Sequence, residues 1–435
     1  MAKRTKKQAR RLRNLVMICS MCAIVLMVST YAWFIGMKTV KVSSFDIDIA
    51  TTEGLFLSMN GKDWSYQLDA KGAQAYTGNT NTWAETGLIP MSTVGDMDAN
   101  ASRMKIFEKA SFTATTGGYR LLASRVGNYA TASDGVSLEQ GKGYVAFDLF
   151  IRNLSGREYY TELDKLNEEA IYLTTDSAVT VAEDGGKGGT GIENSVRVAF
   201  TQIGRVKADD SISSKNITDI TCANVEASDG QAQVTGICRN AQIWEPNDTA
   251  HVQNAINWYN TSCLARLSNG TDVTKEASYD IKKDTTCGAL TNGTASPTYA
   301  VSRVIGINDN VNIYDGEKFN TYETNTMKYA DYLEIDDPEE ARLVEFPYFT
   351  DTDKMKTSTA RPEFMRLAPN SITKLRVYIY IEGQDVDNYD FASLGKKISV
   401  KFGFTKERYT EGDVSYQGPS TAFTPSDEIV ATQES

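Results

Sequence analysis

The pattern of apolar and polar residues begins with one long uncharged segment and continues as a series of short alternating ones. Residues 15–35 carry no charge, and seven Lys or Arg residues precede them between Lys3 and Arg13. An apolar stretch of this length behind basic residues is typical of a transmembrane helix or a signal peptide. The positive-inside rule keeps residues 1–14 in the cytoplasm and places everything after the 15–37 segment outside. We therefore expect an extracellular or cell-surface protein.

The end of the apolar segment allows two outcomes. Thr30 and Ala32 place small residues at the −3 and −1 positions of a signal-peptidase site, so cleavage after Ala32 leaves Trp33 as the first residue. Without cleavage, the chain remains anchored in the membrane through its N-terminal helix. The sequence does not choose between the two.

Beyond this segment the pattern changes to the two-residue period of β-strands. Phe45, Ile47 and Ile49 alternate with Asp46 and Asp48. Further strand-like runs occur at 55–59, 143–152, 195–201, 371–382 and 397–404. Many short strands with Gly-rich turns and few helices predict a mainly β protein, with an antiparallel β-sandwich or jelly roll as its architecture.

The strand pattern is interrupted between residues 207 and 344 by short polar segments. We interpret this range as an insertion subdomain that projects from a β-sandwich formed by residues 38–206 and 345–410. The last residues, 411–435, read as a polar C-terminal tail. Outside the apolar segment, residues 163–173 are the best helix candidate.

Four cysteines lie within the insertion, at Cys222, Cys238, Cys263 and Cys287. An even number of clustered cysteines in an exported region predicts two disulfides. Three pairings exist, and the simplest joins Cys222 to Cys238 and Cys263 to Cys287, which closes two local loops. Four buried free thiols are the alternative.

The scarcest residue decides much of the chemistry. His251 is the single histidine of the chain, so a zinc site of the His-x-x-x-His or His-Glu-x-x-His type cannot be built. Any Ser, His and Asp set would have to use His251. This residue lies in a polar segment near Trp244 and Trp258, where we expect a solvent-facing or aromatic-packed side chain. No catalytic residues are assigned, and we expect a protein that is not an enzyme.

Two groups of oxygen-bearing side chains have spacings that a loop could fold round Ca²⁺. The first follows the predicted strand at 371–382 and consists of Glu382, Asp385, Asp387 and Asp390. The second lies in the insertion and consists of Asp309, Asn310, Asn312 and Asp315. Neither completes an EF-hand loop, and a solvated turn is the simpler interpretation of each. Calcium is the one cofactor that the sequence suggests.

The residues around the predicted cleavage site also carry a resemblance. The segments TYAWF at 30–34 and FDIDI at 45–49 resemble the end of the signal peptide and the first strand of TasA and camelysin, fibre-forming secreted proteins of Gram-positive bacteria. The RVYIYIEGQDVD segment at 376–387 resembles larger secreted relatives. The resemblance covers a small part of the chain and implies a β-sandwich fold and assembly into fibres.

Charge excludes one class of partner. Without the seven basic residues that precede the apolar segment, the formal net charge changes from −11 to −18. Such a surface repels the phosphates of nucleic acids. We therefore expect no nucleic-acid partner.

Three functional hypotheses follow. Export, β-structure, missing catalytic motifs and the resemblance favour a structural subunit of an extracellular filament or biofilm matrix that self-associates. The alternative is a membrane-anchored adhesin whose insertion, with Trp244, Trp258 and Tyr259, recognises carbohydrate or protein. The third is an exported hydrolase that uses carboxylates, whose separation in space a sequence does not give.

Under the first hypothesis, Phe45, Ile47 and Ile49 define an assembly strand. The segment lies between the apolar helix and the folded domain, so its covalent neighbours do not dictate where it pairs. We expect it to be unpaired in its own chain and to add to an open sheet edge of a neighbouring subunit.

N-terminal sequencing of the protein recovered from cells tests the export prediction. Cleavage should give a chain that begins at Trp33, because the small residues before it suit signal peptidase. Without cleavage, the intact chain should stay with the membrane fraction through a high-salt wash. Any other first residue contradicts our interpretation of the segment.

Overall fold

The computed structural model describes residues 16–17, 19–21, 40–49, 54–69, 79–82, 87–109, 124–127, 143–183, 189–209, 211–247, 249–268, 290–294, 299–301, 343–345, 350–351, 365–388 and 397–406. Within these ranges the protein is mainly β with few helices, as the sequence predicts. No helix in the described ranges is both long and apolar enough to cross a membrane. Most of the 15–37 segment lies outside the described residues.

The strands are numbered in chain order. They are β1 (Val40–Ile49), β2 (Leu55–Ser58), β3 (Gln67–Asp69), β4 (Gly87–Leu88), β5 (Pro90–Ser92), β6 (Met97–Asp98), β7 (Arg103–Met104), β8 (Phe107–Lys109), β9 (Ser124–Gly127), β10 (Val145–Asn153), β11 (Glu169–Leu173), β12 (Ala178–Val181), β13 (Val196–Lys207), β14 (Thr235–Gly236), β15 (Gln242–Glu245), β16 (Tyr299–Val301), β17 (Leu343–Glu345), β18 (Thr350–Asp351), β19 (Met365–Leu367), β20 (Ser371–Glu382) and β21 (Lys397–Thr405). The helices are α1 (Ser214–Thr218) and α2 (Gln253–Ser268), with a 3₁₀ turn at Lys165–Asn167.

The smaller of the two main sheets is built round β1. This strand runs parallel to β21, with Phe45 opposite Val400 and Ile47 opposite Phe402. On its other edge it pairs antiparallel with β3 and β4. Strands β11 and β12 pair with β21, and β19 pairs with β11. The first described strand therefore lies in the interior of the sheet.

The larger sheet is centred on β20. It pairs antiparallel with β10 on one side and with β13 on the other. Its last residues also pair in parallel with β5, which continues the sheet through β8 to β9. On the far side of β13 lie β14 and β15, and β2 pairs with β10. All twelve residues of β20 are buried.

The two sheets share the main hydrophobic core. The rings of Phe45 on β1 and Phe147 on β10 stack with their centroids 4.8 Å apart. Phe200 on β13 contacts the edges of Phe402 and Phe404 on β21 at 5.0 and 5.6 Å. One face of each sheet therefore packs against the other, which accounts for the apolar residues at alternate positions of the strands.

The opposite face of the larger sheet is also covered. A second cluster joins Tyr378 and Tyr380 of β20 to Tyr144, to Met91 of β5 and to Met104 of β7. The charged side chains on this face are paired under that cover. Arg376 donates to Asp148 through Nε at 2.7 Å, and Lys374 lies 3.6 Å from the same carboxylate. The sheet therefore has an apolar core on one face and a mixed apolar and ionic layer on the other.

Two features differ from the expected arrangement. The β1–β21, β5–β20 and β15–β18 pairs are parallel, although most pairs are antiparallel. Parallel partners need a long connection between them, and strands far apart in sequence provide one. The 163–173 segment forms a 3₁₀ turn followed by β11 instead of a helix. Its Ile171 and Leu173 are buried in the core, which overrides the local helix preference.

The described part of residues 207–344 does not stand apart from the sheets. Strands β14 and β15 pair with β13, and Trp244 is fully buried in the main core. The larger sheet thus extends into the range that we interpret as an insertion.

Candidate functional site

The first group of acidic residues predicted to bind calcium begins at the end of β20 and continues beyond it along the chain, and two of its described members are buried within the fold. Glu382 and Asp387 are each 1% exposed. Asp385 lies between them and is hydrogen-bonded through Oδ2 to Arg197 at 2.6 Å. Asp390 lies outside the described residues, as do Asp309, Asn310, Asn312 and Asp315.

Arg197 on β13 organises this cluster. Its guanidinium is buried, pairs with Glu245 of β15 and with Asp385, and donates to the carbonyl of Asn194 at 2.9 Å. Burial alone lowers the pKa of Arg197, but the charges of Glu245, Asp385 and Glu382 outweigh it and raise the pKa above its ordinary value. The cation stays charged because two carboxylates compensate its desolvation.

Glu382, in contrast to Arg197, favours its neutral form. Its burial raises the pKa of this carboxyl to about 8, although the positive charge of Arg197 opposes the shift. Its Oε1 accepts the backbone N–H of Gln384 at 3.0 Å. A carboxyl group with this pKa is largely protonated at neutral pH and is a poor ligand for Ca²⁺.

Asp385 is therefore paired with Arg197, and Asp387 is paired with His251. Across the described residues, no group of three or more His, Cys, Asp or Glu side chains is arranged to hold a metal ion. The calcium prediction finds no support in this part of the chain. Asp385 and Asp387 instead belong to buried ion pairs at the end of a central strand, which a solvated turn does not describe.

His251 is buried, which differs from the solvent-facing or aromatic-packed position expected for it. Its Nδ1 donates to Asp387 Oδ2 at 2.7 Å, and its Nε2 donates to the carbonyl oxygen of Thr294 at 2.9 Å. A histidine ring that donates from both nitrogens is the protonated imidazolium. Burial lowers the pKa of His251, but the hydrogen bond to Asp387 and its charge raise it overall. Neither nitrogen is left to act as a general base.

The His251–Asp387 pair fixes the start of α2 to the end of β20. Asp387 Oδ1 accepts the backbone N–H of Val252 at 2.9 Å, one residue before the helix. A small apolar cluster that includes Ile256 and Val386 packs beside it. Gly191 lies against the same carboxylate, where a Cβ atom would come within 2.8 Å of Oδ1. The arrangement is a structural clamp.

The predicted Cys222–Cys238 disulfide is confirmed. Both cysteines are buried in the second cluster, beneath the face of the larger sheet. Gly236 is required beside the bond, because a Cβ atom there would overlap the carbonyl of Cys222. The side chain of Cys263 and all of Cys287 lie outside the described residues, so the second disulfide stays a prediction.

The aromatic residues assigned to a recognition surface do not share one surface. Trp244 is fully buried in the main core, whereas Trp258 on α2 is 47% exposed. Tyr259 is partly buried against the clamp. The sequence pattern did not reveal the burial of Trp244, because this residue reaches the core only through the pairing of β15 with β13.

The predicted assembly strand is paired within its own chain. Phe45, Ile47 and Ile49 are buried in the main core, and β1 has partners on both edges. The expectation that this segment is unpaired is therefore wrong for the single chain. Ala32 and Trp33, at the predicted cleavage site, lie outside the described residues.

Comparison of the chain with protein-family models, with curated proteins and with solved structures gives no match.

A His251→Gln variant tests the clamp. The folded-state pKa is raised, so the stabilisation by the imidazolium is complete below the unfolded pKa of about 6.5 and is lost as pH rises through the folded pKa. We expect the variant to lose about 1–3 kcal/mol of unfolding free energy at pH 5.5 and less at pH 9. Urea denaturation at both pH values measures the difference.

The matched control is Lys215→Gln, which removes an exposed pair with Asp219. It should change stability little, and equally at both pH values. A loss in His251→Gln that grows with pH would contradict the protonated clamp.

Proposed function

We propose that the protein is an exported, cell-surface structural protein whose copies assemble into extracellular filaments by exchanging β1. The observation that carries the proposal is the position of this strand. It is the first described strand after the basic and uncharged N-terminal segments, yet it supplies interior hydrogen bonds and core side chains to the smaller sheet. A terminal strand with such a large share of the core is suited to exchange between copies.

A domain whose β1 position is filled by a neighbour's strand is more stable than one whose β1 position is left unfilled. Five apolar side chains of β1 face the core, from Val40 to Ile49. Burial of each contributes on the order of 1.5–3 kcal/mol. Without β1, the edge of β21 would expose unpaired backbone groups beside these empty positions. Each copy therefore needs a β1 strand, and that strand can come from itself or from a neighbour.

The connection to the rest of the chain sets the geometry. Strand β1 ends at Ile49 and β2 begins at Leu55 in the opposite sheet. Five linking residues span at most about 18 Å. A donated strand therefore holds its own domain directly beside the acceptor. Donation from each copy to the next is a heterologous contact, which produces an open filament where the rotation between copies does not close a ring.

The proposal includes the β-sandwich or jelly-roll assignment. It is supported by the stacked Phe45 and Phe147 rings and by the Phe200 contacts with β21, which join the two sheets face to face. Membrane attachment before or without cleavage belongs to the same proposal and is supported by the uncharged segment. The adhesin hypothesis gains no specific support, since Trp244 is buried, and a Ser, His and Asp catalytic set gains none, since His251 has both ring nitrogens engaged.

A pair of cysteines across the β1–β21 edge distinguishes exchange from other modes of assembly. The hydroxyl oxygens of Ser44 and Ser399 lie 2.7 Å apart. In a Ser44→Cys/Ser399→Cys protein that begins at Trp33, oxidation before assembly should lock β1 in its own chain and prevent filaments. Oxidation after assembly should instead link neighbouring copies into a ladder on a non-reducing gel. Electron microscopy follows filament formation.

The single variant Ser44→Cys is the matched control and should form filaments under both protocols. Filaments that yield only monomers after oxidation would show that assembly does not exchange β1. Filaments formed by a chain that begins at Gly54, which lacks β1, would contradict the proposal in the same way.

A further inference from the structure

Three polar side chains meet where β10, β11 and the end of β21 come together. Asn153 is the last residue of β10 and is fully buried. Glu169 is the first residue of β11, and Lys406 follows the last residue of β21. The side chains of Glu169 and Lys406 are 18% and 19% exposed. The site thus connects the end of β10 in the larger sheet to the start of β11 and the end of β21 in the smaller sheet.

The contacts fix the orientation of the Asn153 amide. Its Nδ2 donates to Glu169 Oε2 at 2.8 Å and to the carbonyl of Ala368 at 3.0 Å. Its Oδ1 accepts from Lys406 Nζ at 3.2 Å. Both acceptors lie on the nitrogen side and the donor lies on the oxygen side, so the amide has only one orientation that satisfies all three partners.

The arrangement places a nucleophile, a carbonyl carbon and a proton carrier together. The Asn153 carbonyl carbon is at most one C=O bond length, about 1.2 Å, farther from Lys406 Nζ than Oδ1 is. Glu169 Oε2 lies 3.6 Å from the same nitrogen and 2.8 Å from the amide nitrogen. This carboxylate oxygen is therefore hydrogen-bonded to the leaving nitrogen, whereas the attacking nitrogen must approach it by about 0.4 Å to reach the distance for direct proton transfer.

We propose that Lys406 and Asn153 become joined by an intramolecular isopeptide bond, with Glu169 as the residue that transfers the protons. This modification would covalently connect the end of β21 to the end of β10. It does not depend on the exchange of β1, because all three residues lie in the part of the chain that stays together when β1 is donated.

The reaction balances without a further reactant. The Lys406 ammonium first gives a proton to Glu169, which leaves a neutral amine. The amine lone pair forms a bond to Asn153 Cγ, and the carbonyl π electrons move to Oδ1. The carbonyl then re-forms as the Cγ–Nδ2 bond breaks, and Nδ2 takes the proton from Glu169 and leaves as ammonia. The second proton lost by Nζ passes through Glu169 to the released ammonia, so a positive charge is present before and after.

Burial favours this chemistry. Asn153 is removed from water, which limits hydrolysis and deamidation of the amide as competing reactions. The folded strands hold the reactants in contact, so the attack is effectively unimolecular.

Tryptic mapping of the purified full-length protein tests the proposal. Trypsin releases peptide 153–157 from an unmodified chain and also cleaves after Lys406. It does not cleave after a lysine whose side chain has formed an amide. We expect one species in which peptide 153–157 is linked to peptide 402–408. Its mass should be lower than the sum of the two by one ammonia, about 17 Da. Recovery of peptides 153–157 and 402–406 unlinked, with no linked species in the wild-type protein, would overturn the proposal.

Variants separate the reaction from simple hydrogen bonding. Glu169→Gln keeps the size of the side chain but removes the proton carrier, so the linked species should fall at least tenfold while the far-ultraviolet circular dichroism stays unchanged. Lys406→Arg should abolish it. Lys401→Arg is the matched control, because Lys401 lies on the same strand and pairs with Asp176 at the surface. It should leave the linked species intact, and a linked species that persists in Lys406→Arg would contradict the assignment.

Discussion

Complete burial of β20 is the constraint on which the rest of the structure depends. Water does not reach the polar side chains of this strand, so its charged groups depend on partners within the protein. Lys374 and Arg376 find Asp148 on β10, and Lys374 Nζ also donates to the carbonyl of Thr218 at 2.7 Å. Tyr378 accepts the backbone N–H of Met104 through its hydroxyl at 2.9 Å. These bonds fix the segments that cover the larger sheet, and removal of one partner would leave a buried charge uncompensated.

The same logic explains why a charged strand occupies the centre of the protein. The face of β20 toward the smaller sheet carries Leu375, Val377, Ile379 and Ile381, which supply apolar burial. The other face carries the ionic groups. These determine which segments pack there, because a buried charged group must lie next to a group of complementary charge or hydrogen-bonding capacity. The cluster of Arg197, Glu245 and Asp385 at the end of the strand continues this arrangement, and the His251 clamp attaches α2 to it. Apolar burial thus holds the sheets together, while paired charges determine which segment lies where.

The sequence predicted those features that are local. Alternation identified β1, β10, β20 and β21, because each has one face in a core. The Cys222–Cys238 bond was predictable because it closes a short loop, with a sequence separation of 16. The surroundings of His251 were not, since Asp387 lies 136 residues away along the chain. Lys374 and Arg376 look like solvent-facing residues in the sequence, and only the covering segments reveal their burial. Similarly, no spacing pattern connects Asn153 to Lys406, which is 253 residues distant.

The parallel pairing of β1 with β21 has a mechanical consequence. The two strands run in the same direction, from the Lys41–Lys397 pair to the Ile49–Phe404 pair. The chain therefore enters this sheet at one end and leaves it at the other, about 25–30 Å away at the usual rise per residue. A pull on the N-terminal end of β1 and the C-terminal end of β21 would slide the strands past each other. All the hydrogen bonds between them would carry the load together, whereas an antiparallel pair pulled from one end opens bond by bond.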